Sequence, residues 1–366
     1  MEGYKLECIR PRNYIPAKKL PRLLPINRSN LAVRIFSVFM LVAFLSICPT
    51  SPVMVNTKEL PMPNTSLIQT QLPTVTDIFD NDDDGYYKHV PSSGPAANPP
   101  MGQPDVDALT PNEILTNIAS ITIAPASTTG YDYFDGIYVK NGSGIPIDIE
   151  NALYMKTSFS KSPRVLIIHT HACESYTPDK YDTFIPTYDD RNTDVRYNVV
   201  RVGDEIANAL ESHGISVIHD RTLYDAPEYS GAYSRSYASV CEYLKKYPDI
   251  EIVLDIHRDA LNDPGKTKYK LVCNEMAQLM FVVGTDGNGE KHPNWENNFS
   301  FALKLQKTAN KLVPGIARPI KLTAGSYNQF VAPGAIIVEI GANGNTLSEA
   351  NATGRLLAEC LAKVLY

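Results

Sequence analysis

The segment Ile250-Glu-Ile-Val-Leu-Asp-Ile-His257 is a short, nearly continuous apolar run that ends in polar groups. A run of this kind is typical of a strand that is buried on both faces of a parallel sheet. Three further segments have the same character: Val165-Leu-Ile-Ile168, Gln278-Leu-Met-Phe-Val-Val-Gly284 and Ala335-Ile-Ile-Val-Glu-Ile340. We therefore expect several buried strands, with shorter ones at residues 215–218 and 316–323.

Segments with helical spacing lie between these runs. Residues 195–212 place apolar side chains on one helical face, and Gly214 fits the end of that helix. Residues 237–244, 299–312 and 347–364 show the same amphipathic repeat. Because strands and helices alternate, we predict an α/β domain with a mainly parallel sheet that is covered by helices on both faces.

The sequence before this domain has a very different composition. Residues 1–30 are rich in Lys and Arg, and an apolar stretch over 31–55 follows them directly. A spanning helix needs about 20 mostly apolar residues, and basic residues before the span indicate a cytoplasmic N-terminus. We therefore predict a basic cytoplasmic segment 1–30 and a single-pass transmembrane signal anchor 31–55. A cleaved signal peptide and a lipoprotein anchor at Cys48 are the alternatives.

Residues 56–128 predict a disordered linker. The segment is rich in Pro, Asn, Ser, Thr and Asp, and such a composition buries too little apolar surface to offset the entropy of ordering. We expect the folded domain over 129–366, outside the cytoplasm and tethered to the cell membrane. The net charge of -6 argues against a nucleic-acid-binding surface, which needs clustered Lys and Arg.

Polar groups follow three of the predicted strands, at His169–Tyr176, Asp255–Asp259 and Val338–Asn345. Sites in open α/β sheets gather at the carboxyl ends of strands, so these groups are expected to share one cleft. Catalytic zinc takes three N and O ligands from the protein and keeps one open position. We predict His171, Glu174 and His257 as the ligands of Zn²⁺.

A zinc hydrolase also needs a group that moves the proton of the attacking water. Glu339 is the candidate, because a carboxylate inside an apolar strand is costly unless it is paired or belongs to a site. His169 and Asp194 are alternative ligands, although Asp194 is better explained as the cap of the helix over 195–212. Asp255 and Asp259 could orient the imidazole of His257.

Several spaced motifs resemble the stage II sporulation protein P family, in the same order along the chain. They are His169-Thr-His-Ala-Cys-Glu-Ser-Tyr176, Gly231-Ala-Tyr-Ser-Arg-Ser236, Asp255-Ile-His-Arg-Asp-Ala260, Met280-Phe-Val-Val-Gly-Thr285, His292-Pro-Asn-Trp295, Tyr327-Asn-Gln329 and Val338-Glu-Ile-Gly341. The resemblance runs from about residue 160 to the end of the chain.

The resemblance implies a zinc-dependent N-acetylmuramoyl-L-alanine amidase, which cuts the bond between muramic acid and the stem peptide of peptidoglycan. It also implies endopeptidase activity on crosslinks, and work at the sporulation septum beside a lytic transglycosylase, stage II sporulation protein D, during engulfment. The family's zinc ligands would correspond to His171, Glu174 and His257, with Glu339 as the catalytic acid and base.

Two other functions fit part of the pattern. The His-x-x-Glu pair also resembles zinc carboxypeptidases, which need a basic residue for the substrate carboxylate, and Arg258 could take that role. A non-catalytic septal scaffold is the second alternative. The complete set of ligands and Glu339 argue against it.

Overall fold

The computed structural model describes residues 116–366, except 157–158, 180–182, 185–189 and 264–266. The predicted segment 1–30, the anchor 31–55 and most of the linker lie outside the described residues. A strand at Thr116–Ile121 falls inside the range predicted as linker, so the folded part of the chain begins before residue 129. No helix within the described residues has the length and hydropathy needed to cross a membrane.

Strands and helices alternate along most of the described chain. The strands are β1 (Thr116–Ile121), β2 (Asp132–Phe134), β3 (Ile137–Gly142), β4 (Arg164–Ile168), β5 (Thr183–Phe184), β6 (Val217–His219), β7 (Ile250–Asp259), β8 (Asn262–Asp263), β9 (Thr267–Cys273), β10 (Met276–Ala277), β11 (Leu279–Gly284), β12 (Ile320–Thr323) and β13 (Gly334–Ala342). The helices are α1 (Ile149–Tyr154), α2 (Val199–Ser212), α3 (Ala232–Lys246), α4 (Trp295–Leu312) and α5 (Leu347–Leu365), with a 3₁₀ turn at Gln329–Val331.

The main sheet of the described residues has the strand order β2-β3-β12-β11-β13-β7-β4-β6. β13, β7, β4 and β6 pair in parallel, whereas β11 runs antiparallel to β13 and β2 runs antiparallel to β3. The expectation of a mainly parallel sheet is thus corrected, because the sheet is mixed. All of β11 is buried, and a strand buried on both faces has the same apolar composition whichever way it runs.

Helices cover both faces of this sheet, as predicted. Along β4, Val165 and Ile167 join the larger apolar core with residues of α2, α4 and α5, whereas Leu166 and Ile168 join a smaller core under α3. The alternation follows from the period of two in a strand. Every residue of β7 and of β13 is buried, so these two strands form the centre of the domain.

A second, smaller sheet packs near the end of β13 and was not predicted. β9 pairs with β1, β8 and β10, and β1 also pairs with β5. The buried side chain of Asn345 connects the two sheets: its Oδ1 accepts hydrogen bonds from the backbone N of Leu271 (2.9 Å) and Ala342 (2.8 Å). Its Nδ2 donates to the Leu271 carbonyl at 2.9 Å. This amide therefore fixes the chain just beyond β13.

The start of α2 differs from the prediction. The helix begins at Val199, and the side chain of Asn198 caps it by accepting from the backbone N of Val200 at 3.0 Å. Asp194 instead accepts hydrogen bonds from the backbone N (3.0 Å) and Nε (2.9 Å) of Arg196. Its predicted capping role is wrong, because a second Asx residue stands closer to the helix.

Candidate metal centre and active site

The chain turns sharply where it leaves β4, and this turn brings His171 beside Glu174. β4 ends at Ile168, and the backbone N of Glu174 donates to the His171 carbonyl at 3.1 Å. The backbone N of Thr170 and its Oγ1 donate to the Asp255 carboxylate at 2.8 and 2.6 Å. The turn is therefore anchored to β7, the strand that carries His257.

Glu174 points at the end of β7. Its Oε2 accepts a hydrogen bond from the backbone N of Arg258 at 3.0 Å and lies 3.5 Å from Nδ1 of His257. Burial raises the pKa of Glu174, but the hydrogen bond to His257 and the charges of His257 and Arg258 outweigh this effect and lower the pKa to about 2. The carboxylate is consequently ionised and in position to act as a ligand.

His257 lies between two carboxylates. Its Nε2 is 3.0 Å from Oδ1 of Asp255, on the side opposite to Glu174. Burial lowers the pKa of His257, yet Asp255 and Glu174 outweigh it and raise the pKa well above its usual value. The pair of carboxylates therefore favours a positive charge at this point, which is a proton on His257 here and which a bound metal ion would replace. The predicted contact between Asp255 and the imidazole is present.

His171 completes the group. Its ring lies 5.3 Å from the ring of His257, centroid to centroid, and meets it edge to face at 83°. The ring stacks on Tyr229 with centroids 4.4 Å apart, and the Tyr229 hydroxyl is 3.1 Å from Nε2 of His171. Burial lowers the pKa of His171 to about 4, so its imidazole is neutral at physiological pH, as a metal ligand must be.

Glu339 lies on β13 directly beside His257, because the two residues are Cα partners in the parallel pairing with β7. Its side chain is buried, and its Oε2 has no hydrogen-bond partner among the described residues. Burial raises the pKa of Glu339 to about 8. The register shifts immediately after Glu339, where Gly341 takes a φ of 67° that a side chain rarely tolerates.

The residues present fit a zinc ion in their donor chemistry. Two ligands about 2.0–2.1 Å from a tetrahedral ion are about 3.4 Å apart, which is close to the 3.5 Å between Glu174 Oε2 and His257 Nδ1. Two carboxylates with lowered pKa, those of Glu174 and Asp255, flank the His257 imidazole, and this excess of negative charge favours a cation. Within the described part of the chain, however, no three acidic, His or Cys side chains already converge at ligand distances.

The two alternative ligands lie elsewhere. His169 is buried, with Nδ1 3.0 Å from the Ile256 carbonyl and Nε2 2.8 Å from Nε2 of His219. Both ring nitrogens of His169 are therefore engaged outside the group of His171, Glu174 and His257. Asp194 binds Arg196 in an exposed turn, as described above.

Arg258 and Asp259 have structural partners. The guanidinium of Arg258 donates to three main-chain carbonyls, those of Ser175 (3.0 Å), Asp190 (2.6 Å) and Asp259 (3.4 Å). The carboxylate of Asp259 pairs with the buried Arg318 at 2.8 Å and not with His257. The basic residue suggested for a carboxypeptidase is thus committed to the backbone.

Tyr229 is the site residue that sequence reasoning missed. It lies in the loop between β6 and α3, where no strand end or ligand spacing marks it. The guanidinium of Arg191 stacks on its ring at 4.8 Å and forms an ion pair with the buried Asp225. This arrangement fixes the Tyr229 ring against His171, and only the tertiary structure reveals it.

The family model described as stage II sporulation protein P matches residues 120–362. The chain belongs to the stage II sporulation protein P family. Stage II sporulation protein P of Bacillus subtilis (strain 168) is 28% identical over 213 residues, which are 55% of this chain and 51% of that protein. The chain thus spans about half the length of this curated relative of the stage II sporulation protein P family.

Solved structures that resemble this family member are distant. The CwlD amidase from Clostridioides difficile, in complex with the GerS lipoprotein, is 14% identical, with 55% of this chain and 95% of that chain covered and a TM-score of 0.37. An N-acetylmuramoyl-L-alanine amidase from Clostridium difficile 630 is 15% identical, with 56% and 95% covered and a TM-score of 0.34. The amidase AmiC2 of Nostoc punctiforme is 14% identical, with 57% and 97% covered and a TM-score of 0.32.

Proposed function

We propose that the chain is a zinc-dependent N-acetylmuramoyl-L-alanine amidase, which hydrolyses the amide bond between N-acetylmuramic acid and the stem peptide of peptidoglycan during sporulation. The observation that carries the proposal is the meeting of His171, Glu174 and His257 with Glu339 at one edge of the main sheet. Membership in the stage II sporulation protein P family supports the cell wall as the setting.

In this proposal, His171, Glu174 and His257 hold Zn²⁺. When bound, the ion supplies Lewis acidity, which polarises the amide carbonyl and eases deprotonation of water. Asp255 fixes the orientation of the His257 ring through its contact with Nε2, as outer carboxylates do for metal-binding imidazoles. Tyr229 stacks on His171 and limits the rotation of that ring.

Glu339 moves the proton. Its carboxylate accepts a proton from the attacking water and returns it to the nitrogen of the leaving stem peptide. A raised pKa suits both halves of this task, because a group with a pKa near the working pH can accept and donate a proton in turn. We propose that the proton binds Oε2 of Glu339, the oxygen that lacks a hydrogen-bond partner within the described structure.

The proposal includes a cellular setting, which residues 1–115 would provide. Segment 31–55 anchors the chain in the cell membrane as a single span, and the amidase domain lies outside the cytoplasm at the sporulation septum. There it works with a lytic transglycosylase partner, stage II sporulation protein D, and also cleaves peptide crosslinks as an endopeptidase. Expression of the chain with a C-terminal fluorescent fusion and protease accessibility in protoplasts would test this topology.

The experiment for the activity is digestion of purified sacculi by the full chain, with the released ends identified by mass spectrometry. An amidase produces stem peptides with a free N-terminal alanine and glycan with an intact lactyl carboxylate. Loss of only the C-terminal residue of each stem would indicate a carboxypeptidase instead. Binding to sacculi without any release would indicate a scaffold, and either of these outcomes would contradict the proposal.

A further inference from the structure

A row of aromatic side chains leads away from His171. The ring of Tyr233, in the first turn of α3, meets the His171 ring edge to face with centroids 5.5 Å apart. The ring of Tyr327 follows, 5.8 Å from that of Tyr233 and tilted by 52°. Both tyrosines are half-buried, so each keeps some solvent-exposed surface.

An apolar floor lies next to this row. Met280, Val282 and Ile337 form a small buried cluster of their own, and Tyr327 packs against it. Met280 is the Cα partner of Glu339, and Ile337 lies two residues before Glu339 on β13. Because alternate residues of a strand face the same side, the floor begins directly beside the carboxyl of Glu339.

The loop that carries Tyr327 is held in a strained conformation. Tyr327 and Asn328 have φ of 45° and 60°, in the left-handed region that side chains rarely adopt, and consecutive strained residues of this kind cluster at functional sites. Side chains of the loop keep it in place. Asn328 Nδ2 donates to the Tyr233 carbonyl at 2.8 Å, and Gln329 Oε1 accepts from the backbone N of Gly284 at 2.8 Å.

The loop also lies unusually close to β11. A Cβ at Gly284 would come within 2.2 Å of the Gly325 carbonyl oxygen, so only glycine permits this approach. The ring of Tyr327 is therefore fixed relative to both Tyr233 and the floor. We call the rings of Tyr233 and Tyr327, together with the buried cluster of Met280, Val282 and Ile337 that supports Tyr327, the aromatic shelf.

We propose that the aromatic shelf binds an N-acetylated sugar ring of the glycan strand and so determines which side of the metal centre the glycan occupies. This inference rests on the proposed function. The C–H face of a pyranose ring stacks on tyrosine. The stem peptide carries carboxylates that would need cationic partners, whereas the residues of the shelf carry no charge.

Binding of glycan fragments without peptide tests the shelf directly. The full chain with Glu339→Gln, as purified, is titrated with triacetylchitotriose and separately with the glycan-free stem tripeptide, and binding is followed by calorimetry or NMR. We expect Tyr327→Ala and Tyr233→Ala, each added to this background, to weaken chitotriose binding about tenfold. Binding of the stem tripeptide should stay within about twofold.

Two matched variants serve as controls. Tyr327→Phe keeps the aromatic face and should retain chitotriose binding. Tyr154→Ala removes an exposed tyrosine that contacts Phe134 and Lys307, away from the shelf, and should have no effect. Thermal unfolding of each variant shows whether it is folded. If either Tyr327→Ala or Tyr233→Ala does not fold, the other of these two variants tests the aromatic shelf.

The outcomes distinguish failure of the sugar-binding proposal from failure of the proposed amidase function. Three results would contradict sugar binding at the aromatic shelf. They are equal chitotriose affinity in all variants, no chitotriose binding by the parent chain, and loss of tripeptide binding in place of sugar binding. Failure of the wild-type chain to release stem peptides from sacculi would overturn the proposed function. A Tyr327-dependent affinity for chitotriose would remain valid evidence for the aromatic shelf in that case.

Discussion

Replacing Glu339 with Gln should abolish hydrolysis and at the same time stabilise the metal-free protein at neutral pH. Gln keeps the size and shape of the side chain but does not ionise. As general bases contribute roughly 10²–10⁴-fold to a rate, release of stem peptides should fall by at least about a hundredfold. Zinc content should not change, because Glu339 is not one of the proposed ligands.

The gain in stability follows from the pKa of this group. Burial raises the pKa of Glu339 from 4.5 to about 8, so the folded metal-free protein keeps it protonated at pH 7 while the unfolded chain ionises it. Each pH unit above the unfolded pKa favours the unfolded chain by about 1.4 kcal/mol, which amounts to roughly 3 kcal/mol at pH 7. This penalty is absent below about pH 4, grows as the pH rises and levels off above the folded pKa.

Urea unfolding of chelator-treated wild type and Glu339→Gln, at pH 4 and at pH 7, measures this difference. We expect Gln to raise the free energy of unfolding by about 1–3 kcal/mol at pH 7, which is less than the full penalty because the Gln amide still needs hydrogen-bond partners. At pH 4 we expect almost no difference, because Glu339 is then largely protonated in the unfolded chain as well. Equal stabilities at pH 7 would contradict the raised pKa of buried Glu339. A variant that still digests sacculi would contradict its role as the proton carrier.

Three other substitutions have distinct expected effects. His257→Ala removes a proposed ligand, so zinc content by mass spectrometry and release of stem peptides should fall together. Asp255→Asn leaves the ligands in place but weakens the orientation of His257, and a tenfold to hundredfold loss of zinc affinity, of the order seen for outer carboxylates, should appear in competition with a chelator. Asn345→Ala removes three hydrogen bonds from its side chain to the backbone, two with Leu271 of the second sheet and one with Ala342 of β13, and urea unfolding should show a loss of about 3 kcal/mol or more, with zinc stoichiometry retained.

The sequence was sufficient for the α/β class and for the meeting of the site residues. His171, His257 and Glu339 each follow or end a buried apolar run, and the carboxyl ends of neighbouring parallel strands lie at one edge of a sheet. Glu174 was expected beside His171 because three residues are enough for one turn of chain. These inferences rest on local patterns of apolar and polar residues, which can be read from the sequence without knowledge of distant contacts.

Other features depend on contacts between distant segments, and local patterns do not record them. The antiparallel direction of β11 is one such feature, because its apolar residues suit either orientation. The contact between Tyr229 and His171 joins residues 58 positions apart and needs the ion pair of Arg191 with Asp225 to hold it. The pairing of His169 with His219 spans 50 positions and explains why His169 does not join His171, Glu174 and His257.

Zinc stoichiometry in ligand variants is the most direct check of the metal centre. The wild-type chain and the variants His171→Ala, Glu174→Ala and His257→Ala are purified in the same way, with the exposed His213→Ala as control, and analysed by inductively coupled plasma mass spectrometry. We predict about one zinc per chain for the wild type and the control, and strong losses in the three ligand variants. Full zinc occupancy in all three variants, or none in the wild type under zinc-replete conditions, would contradict the proposed metal centre.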